Sequence, residues 1–356
     1  MFEPLEIINS LSSCNTAYSS PSNIALIKYW GKHPVQLPAN PSVSFTLDKC
    51  KTETRLKAEK TSGTLDYFDI EVVVDGKANE DFKPKIIHFF KRIEPYFNFL
   101  KDYRFKIETS NTFPHSSGIA SSASGFSALA ACLIKTEQKL AGDESHKLNL
   151  NKVSFISRLG SGSAARSVQG PLMVWGKHND ICGSQDEIAI KYDHIHPVFH
   201  DYQDVILLVD KGQKKVSSTV GHGLMNNHPF ANARFKQAHD NMSALLIALS
   251  EGNLDDFIKI TENEALSLHA MMMSSNPYFI LMKPNTLHII EHLWDFREKT
   301  GIPVSFTLDA GANVHVLFPN VHVTKVLELI NTKLIRFCQN EHYICDNIGD
   351  GLKALS

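Results

Sequence analysis

The sequence predicts an α+β fold with two domains. Strand-like alternation dominates its first third, helical segments dominate its second half, and the elements follow no strict strand–helix–strand rhythm. A length of 356 residues is enough for two domains. A boundary near residues 185–200 has only a weak signal, and on it we predict an N-terminal domain over residues 1–195 and a C-terminal domain over residues 196–356.

The first third is predicted to consist mostly of strands. Polar and apolar residues alternate over Ser42–Leu47 and Arg104–Thr109, and Asp69–Ala78 has the pattern of a strand that enters a turn. The segment Ser121–Leu140 is rich in Ala and Leu and predicts a helix. Two further elements are predicted in this half: a helix over Asn151–Leu159 and a short apolar strand over Gly170–Gly176.

The second half is predicted to be richer in helices. It begins with Asp204–Asp210, whose continuous apolar run predicts a buried strand. The other elements predicted here are strands over Val304–Asp309 and Val314–Phe318, and helices over Asn232–Ser250, Leu254–Leu268, Thr286–Lys299 and His322–Gln339.

The composition limits the classes of partner. Hydrophobic residues make up 43% and charged residues 21%, as in soluble globular proteins with a substantial core. A net charge of −2 predicts no bulk attraction to nucleic acid or to an anionic membrane. The N-terminus lacks a signal peptide's basic region, and the longest small-apolar stretch, Ala120–Ile134, is too short to span a bilayer. Six scattered cysteines without C-x-x-C spacing favour reduced thiols in a cytoplasmic protein.

The segment Phe113–Ala130 joins a predicted strand to a predicted helix through small residues, with six serines and two glycines. The first amides of a helix lack intrahelical partners, and the helix dipole favours negative charge there. Small residues let a phosphate approach these amides, and serine hydroxyls add donors, so the segment predicts a nucleotide phosphate site. It is not a Walker A loop, and a tightly packed helix start with serine caps remains the alternative.

A second small-residue segment, Arg158–Gly170, offers further donors. Ser161, Gly162 and Ser163 supply amides and hydroxyls, and Arg166 follows closely enough to direct its guanidinium at the same anion. An ordinary turn beside a surface arginine is the alternative. Two such loops in one chain suggest two anionic ligands.

Two shorter segments add charged residues. Lys28 and Lys32 flank Tyr29 and Trp30 at the end of an apolar stretch, which suits anion neutralisation, although a strand end with a snorkelling lysine has the same pattern. Asp309 ends an apolar strand before a Gly-containing turn. At such a position a carboxylate can reach a pocket, although an acidic residue beside a glycine turn is often only part of the turn itself.

Taken in order, these segments resemble the GHMP small-molecule kinase superfamily and, within it, the mevalonate diphosphate decarboxylase family. The Lys-Tyr-Trp-Gly-Lys and Gly-Ser-Gly-Ser sequences are more particular to the decarboxylases than the phosphate loop, which kinases of the superfamily share. The matching segments are Asn23–Lys32, Pro114–Phe126, Gly160–Ser167, Lys214–Met225 and Asp309–Asn313.

The resemblance implies a two-domain GHMP kinase-like fold with the active site in the interdomain cleft, usually in a homodimer. It also implies ATP and Mg²⁺ as cofactors and mevalonate 5-diphosphate as the small-molecule substrate. ATP would phosphorylate the 3-hydroxyl, and loss of phosphate and CO₂ would give isopentenyl diphosphate. Alternatives are a related decarboxylase or kinase acting on mevalonate 5-phosphate or mevalonate, and a non-enzymatic ligand-binding homologue, which the presence of Asp309 and the phosphate loop disfavours.

The resemblance also implies residue roles. Asp309 would orient or deprotonate the 3-hydroxyl, Arg166 would clamp the carboxylate or neighbouring phosphate, and Lys28 would stabilise charge at the reacting centre. The residues implied for the substrate are Tyr29, Lys32, Ser161, Gly162, Ser163 and Ser218. Those implied for the ATP phosphates are Pro114, Ser116, Ser117, Gly118, Ala120, Ser121 and Ser122, with Ser122 also at the Mg²⁺.

The chain departs from the family pattern without losing a candidate catalytic group. His33, Ala165 and Ala312 stand where Arg, Cys and Pro are frequent, and His115-Ser116-Ser117 replaces Thr-Ala-Ala beside the phosphates. These changes leave nucleotide preference open. A separate histidine cluster in the polar linker (His194, His196 and His200) has no cysteine or carboxylate set at ligand spacing, which disfavours structural zinc.

Overall fold

The computed structural model describes residues 2–9, 11–114, 119–143, 147–212 and 218–355, without the side chains of Ser218 and Thr219. The elements of the N-terminal half, in chain order, are β1 (Ser13–Ile27), β2 (Lys32–His33), β3 (Leu37–Pro38), β4 (Ser42–Lys60), β5 (Ile70–Val74), β6 (Lys77–Ala78), α1 (Lys83–Ile93), β7 (Tyr103–Asn111), α2 (Ser121–Leu140), α3 (Leu150–Gly160), β8 (Leu172–Trp175) and β9 (Ala189–Lys191).

The elements of the C-terminal half are β10 (Gln203–Leu207), α4 (Ser218–Gly223), α5 (Ala231–Glu251), α6 (Leu254–Met273), α7 (Pro284–Thr300), β11 (Ser305–Thr307), β12 (Val314–Phe318), α8 (Val323–Leu329), β13 (Tyr343–Asn347) and β14 (Lys353–Ala354). No helix in the described ranges combines the length and the apolar character that a bilayer crossing requires.

The N-terminal sheet is built around two long antiparallel strands, β1 and β4. Its order is β14-β1-β4-β7-β5-β6, with β8 and β9 continuing from β4, and only the β5–β7 pair is parallel among the described pairs. Helices α2 and α3 pack against each other, and α2 covers β1 and β4 over a core that includes Phe89, Phe105 and Leu133. The β1–β4 register shifts between Pro21 and Asn23 and again between Ala25 and Ile27. A register shift changes the side of the sheet to which the following side chains point. These irregularities therefore determine the directions of the side chains at the end of β1.

The C-terminal sheet is antiparallel, in the order β11-β12-β10-β13. Helix α6 lies against β11 and also contacts β1, so it joins the two halves of the molecule. The last strand, β14, returns to the N-terminal sheet, where Ala354 pairs with Tyr18 of β1. The α+β prediction is therefore confirmed, whereas the division at residues 195 and 196 stays a prediction.

Most predicted elements are present within a few residues, although β4 continues to Lys60, well beyond the predicted end at Leu47. Helix α2 has the predicted bounds, and the strands and helices predicted around β4, β7, α3, β8, β10, α5, α6, α7, β11 and β12 are found. Helix α1 was not predicted, although Ile86, Phe89, Phe90 and Ile93 have helical spacing and are buried. Strand β13 was also missed.

The predicted helix over His322–Gln339 is wrong in its second half. Helix α8 ends at Leu329, and a π-helical turn over Ile330–Leu334 and a 3₁₀ turn over Ile335–Phe337 follow it. At this point the Thr332 hydroxyl donates to the carbonyl oxygen of Glu328, at 2.7 Å. A threonine that bonds back to the preceding turn competes with the helical ladder, so a helix break here has a local cause.

Candidate active site

Both halves of the chain contribute to one cavity of about 930 Å³. At one end it is lined by residues from the end of β1, the loop after α3 and the loop after β11, including Lys28, Arg166 and Asp309. At the other end it is lined by residues of β5, β6 and α1 and by the start of α2, including Lys77, Lys85 and Ser122. The volume is in the range of small-molecule sites.

Lys28 and Asp309 form the central ion pair of the cavity. The Lys28 ammonium donates to Oδ1 of Asp309 at 3.1 Å, and 1% of Lys28 is exposed, whereas the Asp309 side chain is about a quarter exposed. Burial lowers the pKa of Lys28, while the charges of Asp309 and Glu264 act in the opposite direction and Arg166 adds to the lowering. A buried ammonium beside a partly exposed carboxylate can stabilise negative charge that develops on a ligand between them.

Arg166 lies in the 3₁₀ turn Gly162–Ser167 and is also buried. One terminal nitrogen donates to the Ser42 hydroxyl, and the guanidinium lies 5.9 Å from the centroid of the Trp175 ring. Burial lowers its pKa to about 10, and the charge of Asp309 counteracts part of this effect. The group therefore remains a cation at neutral pH, held beside the ion pair by a neutral hydroxyl and a ring.

Tyr29 is packed between aromatic rings. Its ring centroid is 4.8 Å from that of Trp175 and 4.2 Å from that of His222. His222 accepts a hydrogen bond on Nδ1 from the Gly31 amide, at 3.0 Å, and burial lowers its pKa to about 3. Gly31 has φ of +99°, which favours glycine, and an added Cβ would approach the Phe235 ring to 2.8 Å. The segment that carries Lys28, Tyr29 and Lys32 is thus fixed by the glycine at position 31 and by contacts with its neighbours.

Lys32 lies in the β2–β3 hairpin. Its ammonium donates to Oε1 of Gln36 at 3.0 Å, and both residues line the cavity. Arg158 of α3 stabilises this hairpin by donating to the carbonyl oxygen of Val35. It also donates to the carbonyl oxygen of Glu187, at 2.8 Å. Burial, and secondarily the charge of Arg92, lower the pKa of Lys32. The hairpin therefore presents one cation and one carboxamide to the cavity.

Ser161, Gly162 and Ser163 line the same end of the cavity as Tyr29. A Cβ at Gly162 would come within 2.8 Å of both the Tyr29 hydroxyl and the Trp175 ring, so only glycine fits there. Asn23 of β1 donates to the Ser163 carbonyl oxygen at 3.2 Å, which ties this turn to the first register shift of β1.

The start of α2 forms the other anion site. Ala120 is the N-cap residue, with φ of +23°, and alanine has no side-chain oxygen to accept from the first-turn amides. Ser121 and Ser122 follow it and line the cavity. The Ser124 hydroxyl lies 2.6 Å from that of Thr52 in β4, which fixes the helix start on the sheet. An uncapped helix start beside serine side chains fits a bound phosphate.

Several predicted residues cannot be placed at this site. Ser116, Ser117 and Gly118 lie outside the described residues, as do His115 and the segment 213–217. Pro114 is described but is not among the residues that line the cavity. The backbone of Ser218 begins α4, whereas its side chain lies outside the description.

Three buried polar atoms belong to cavity-lining residues and have no hydrogen-bond partner within the described part of the chain. They are Nε of Arg166, the hydroxyl oxygen of Tyr29 and Oδ1 of Asn23. Buried polar groups are normally satisfied, so donors and acceptors that remain around one cavity favour a polar ligand there. The described residues include no group of three His, Cys, Asp or Glu side chains that could hold a metal ion. Mg²⁺ carried mainly by ligand phosphates does not need one.

Sequence reasoning missed several residues at this site. Glu264 and His269 of α6 hydrogen-bond the main chains of Lys28 and Asp309, and His222 holds Gly31. Lys85 of α1 lines the far end of the cavity, with its ammonium 5.3 Å from the centroid of the Phe126 ring. Glu264 had a usable signal, because Phe257, Thr261, Glu264 and Leu268 share one buried helical face, on which a carboxylate is unusual.

Comparisons with known proteins agree with this geometry. Residues 20–189 match the family model described as the diphosphomevalonate decarboxylase-like N-terminal domain, and residues 204–350 match that of the mevalonate 5-diphosphate decarboxylase C-terminal domain. The chain is 30% identical over 335 residues to a diphosphomevalonate decarboxylase of Ganoderma lucidum, covering 88% of this chain and 80% of that protein.

A solved structure and a second curated relative are also similar. A structure described as MDDEF in complex with MVAPP, AMPPCP and magnesium superposes with a TM-score of 0.82 at 26% identity, covering 96% of this chain and 99% of that one. A phosphomevalonate decarboxylase of Haloferax volcanii is 25% identical over 309 residues, covering 86% of this chain and 88% of that protein. The two-domain α+β fold of the decarboxylases is thus the fold of this chain.

Proposed function

The chain belongs to the diphosphomevalonate decarboxylase family, and we propose from this premise that it is an ATP-dependent decarboxylase of mevalonate 5-diphosphate. The products would be isopentenyl diphosphate, ADP, phosphate and CO₂. The observation that carries the proposal is the convergence of Lys28, Arg166 and Asp309 on one cavity with an anion site at each end.

The first step is phosphoryl transfer from ATP to the 3-hydroxyl. A new O–P bond forms at the hydroxyl oxygen, the bond between the γ-phosphorus and ADP breaks, and the hydroxyl proton leaves. Asp309 orients this hydroxyl or accepts its proton, with Lys28 beside it at 3.1 Å. Such transfers depend mainly on positioning and charge stabilisation, so a weakly basic aspartate is sufficient.

The second step removes the new phosphate and the carboxylate. The C3–O bond breaks and phosphate leaves with the electron pair, while the C1–C2 bond releases CO₂ and its electrons form the C2–C3 double bond. The buried Arg166 cation, with its remaining donor Nε, is suited to orient the carboxylate or the neighbouring phosphate. Lys28 stabilises the negative charge on the departing phosphate.

The two ends of the cavity fit the two polyphosphates. Tyr29, Lys32 and the turn Ser161–Ser163 hold the substrate diphosphate. The family resemblance adds Ser218, whose backbone begins α4. The uncapped start of α2, with Ala120, Ser121 and Ser122, holds the ATP phosphates. The family resemblance adds Pro114, Ser116, Ser117 and Gly118 to this set. Mg²⁺ bound to the phosphates near the Ser122 hydroxyl would neutralise charge on them. The similar solved structure, with a TM-score of 0.82, is a complex with MVAPP, AMPPCP and magnesium, which supports this assignment.

The proposal is tested by measuring CO₂ and phosphate release with ATP on mevalonate, its 5-phosphate and its 5-diphosphate in parallel. We expect both products in equal amounts, with the highest kcat/KM on the diphosphate. Asp309→Ala should abolish turnover and leave ATP binding nearly intact, because Asp309 acts on the hydroxyl rather than on the nucleotide. Phosphoryl transfer without CO₂ release would make the protein a kinase instead.

Mevalonate 5-phosphate is the second candidate substrate. The similarity to the Haloferax volcanii phosphomevalonate decarboxylase supports it, and it would use the same catalytic residues. The parallel assay separates the candidates, because a monophosphate enzyme would show the highest kcat/KM on mevalonate 5-phosphate.

Three broader features are also proposals. The family resemblance supports a homodimer, which sedimentation analysis would test. Reduced cysteines support a cytoplasmic location, since none of the six cysteines, all in described parts of the chain, forms a disulfide. The division into residues 1–195 and 196–356 lies within the gap between the two matched family models, at residues 190–203.

A further inference from the structure

One helix, α6, holds the main chains of both members of the central ion pair. Oε2 of Glu264 accepts the backbone N–H of Lys28 at 2.8 Å. Five positions later, Nε2 of His269 lies 3.1 Å from the carbonyl oxygen of Asp309, and because a carbonyl can only accept, Nε2 carries the proton. The two catalytic candidates come from segments 281 positions apart, and α6 is the element that both of them contact.

Glu264 is itself rigidly held. None of its side chain is exposed, and Arg234 of α5 donates to both of its oxygens, at 3.0 Å to Oε1 and through a second bond to Oε2. Asn241 donates to Oε1 at 2.7 Å. A buried carboxylate is tolerated only when its charge and its lone pairs are satisfied, and this one has one lone pair directed at Lys28.

His269 is an equally specific donor. It is buried, and burial lowers its pKa to about 4, so the ring is neutral at physiological pH and offers a single N–H. That N–H holds the main chain at the residue whose carboxylate faces Lys28. A neutral ring avoids placing a third cation beside Lys28 and Arg166.

We propose that Glu264 and His269 are positioning residues that set the separation between the Lys28 ammonium and the Asp309 carboxylate. Neither side chain is among those that line the cavity. Both act through backbone hydrogen bonds, one at the end of β1 and one at the end of β11. The inference deepens the proposed function and rests on it, because the separation of the pair matters only if both groups act on the reacting hydroxyl.

The His269 arm of the test compares two substitutions of similar size. His269→Gln places an amide nitrogen the same number of bonds from Cβ as Nε2, whereas His269→Leu removes the donor. We expect His269→Leu to lower kcat by about 10–100-fold with KM for ATP nearly unchanged, because small misplacements of catalytic groups reduce rates strongly. His269→Gln should recover most of that loss. If His269→Leu does not fold, His269→Asn, whose amide is one carbon too short to reach, replaces it.

The Glu264 arm compares two double variants that both remove the buried charge pair. Glu264→Gln with Arg234→Met keeps an acceptor for the Lys28 amide, whereas Glu264→Leu with Arg234→Met removes that acceptor as well. We expect the Glu264→Leu double variant to lower kcat by about 10–100-fold with KM for ATP nearly unchanged, because the Lys28 main chain is no longer held. The Glu264→Gln double variant should recover most of that loss.

Each outcome has one meaning. An inactive wild-type protein would refute the proposed function, whichever variant is used. An active wild type whose His269→Leu variant keeps full kcat, or whose His269→Gln variant loses as much as the Leu variant, would refute the positioning role. A fall in the unfolding midpoint with kcat per folded molecule unchanged would likewise assign His269 to stability alone. Full kcat in the Glu264→Leu double variant would refute the role of Glu264.

Discussion

Arg166 is a buried cation held by a hydroxyl and a ring. Taking a guanidinium out of water is costly. A buried guanidinium without a bidentate carboxylate partner has N–H donors that remain available to a ligand. Its Nε has no partner among the described residues, and Asp309 is close enough to influence its pKa. The arrangement is unfavourable for stability by itself and favourable for capturing an anion that arrives with the substrate.

Arg166→Gln is therefore expected to lower kcat by about 10²–10³-fold, which is typical when a donor to developing charge is removed. Stability should change little or improve, because a buried charge disappears. The measurements are steady-state kinetics and urea unfolding. Ser42→Ala, which removes only the neutral partner of Arg166, is the matched control and should lower kcat less than tenfold. A wild-type rate in Arg166→Gln would remove this residue from the mechanism.

The residues that sequence reasoning found and missed differ in how they are encoded. Lys28, Arg166 and Asp309 stand in short segments of unusual composition, so a local pattern reveals them. Glu264 and Arg234 are separated by 30 positions in helices of ordinary composition, and their pairing depends on how α5 and α6 pack. Single-sequence patterns locate groups that touch a ligand more readily than groups that hold those groups in place.

The turn of the β2–β3 hairpin has an unfavourable backbone conformation. Its turn contains Val35 with φ of +52° and Gln36 with φ of +62°, in the left-handed region that non-glycine residues rarely occupy. A β-branched residue is especially unfavourable there, and Val35 is 54% exposed, so packing does not compensate. The turn is held instead by Arg158, which donates to the Val35 carbonyl oxygen, and the result is that Gln36 meets Lys32.

Replacing Val35 by Asn should stabilise the protein by about 1 kcal/mol, because Asn tolerates the left-handed conformation and Val does not. The free energy of unfolding in urea is the measurement. Val321→Asn is the matched control: Val321 is 84% exposed and is not among the residues with positive φ, so it should give no gain. Equal effects at the two positions would show that the turn at Val35 stores no strain.

At the scale of the whole molecule, the sequence indicated the fold class and most elements but not how the two halves join. Helix α2 could be bounded by composition alone, whereas β14 has only two residues and pairs with β1 across the length of the chain. Pairing of this kind depends on non-local contacts that no periodicity encodes. The contacts of α6 with both β1 and β11 belong to the same class, and they are the ones that assemble the site.

Two buried histidines make this assembly sensitive to acid. His222 joins α4 to Gly31, and His269 joins α6 to Asp309, with pKa values lowered by burial from 6.5 to about 3 and about 4. Between pH 6.5 and these values the unfolded chain binds protons that the folded one does not. Their contribution to stability is therefore complete above pH 6.5 and declines as the pH falls, by about 1.4 kcal/mol per pH unit for each histidine.

We accordingly expect the free energy of unfolding to fall steeply between pH 6.5 and pH 4. In His222→Asn the slope of this free energy against pH should be smaller, by the amount that corresponds to about one proton taken up on unfolding. Asn Oδ1 can still accept from the Gly31 amide in place of Nδ1, so the fold is kept while the titrating group is removed. The measurement is urea unfolding at pH 7.5, 6 and 5. His200→Asn, at an exposed position, should leave the slope nearly as in the wild type. If His222→Asn left the slope unchanged, His222 would not be the buried neutral ring that holds the two halves together at Gly31.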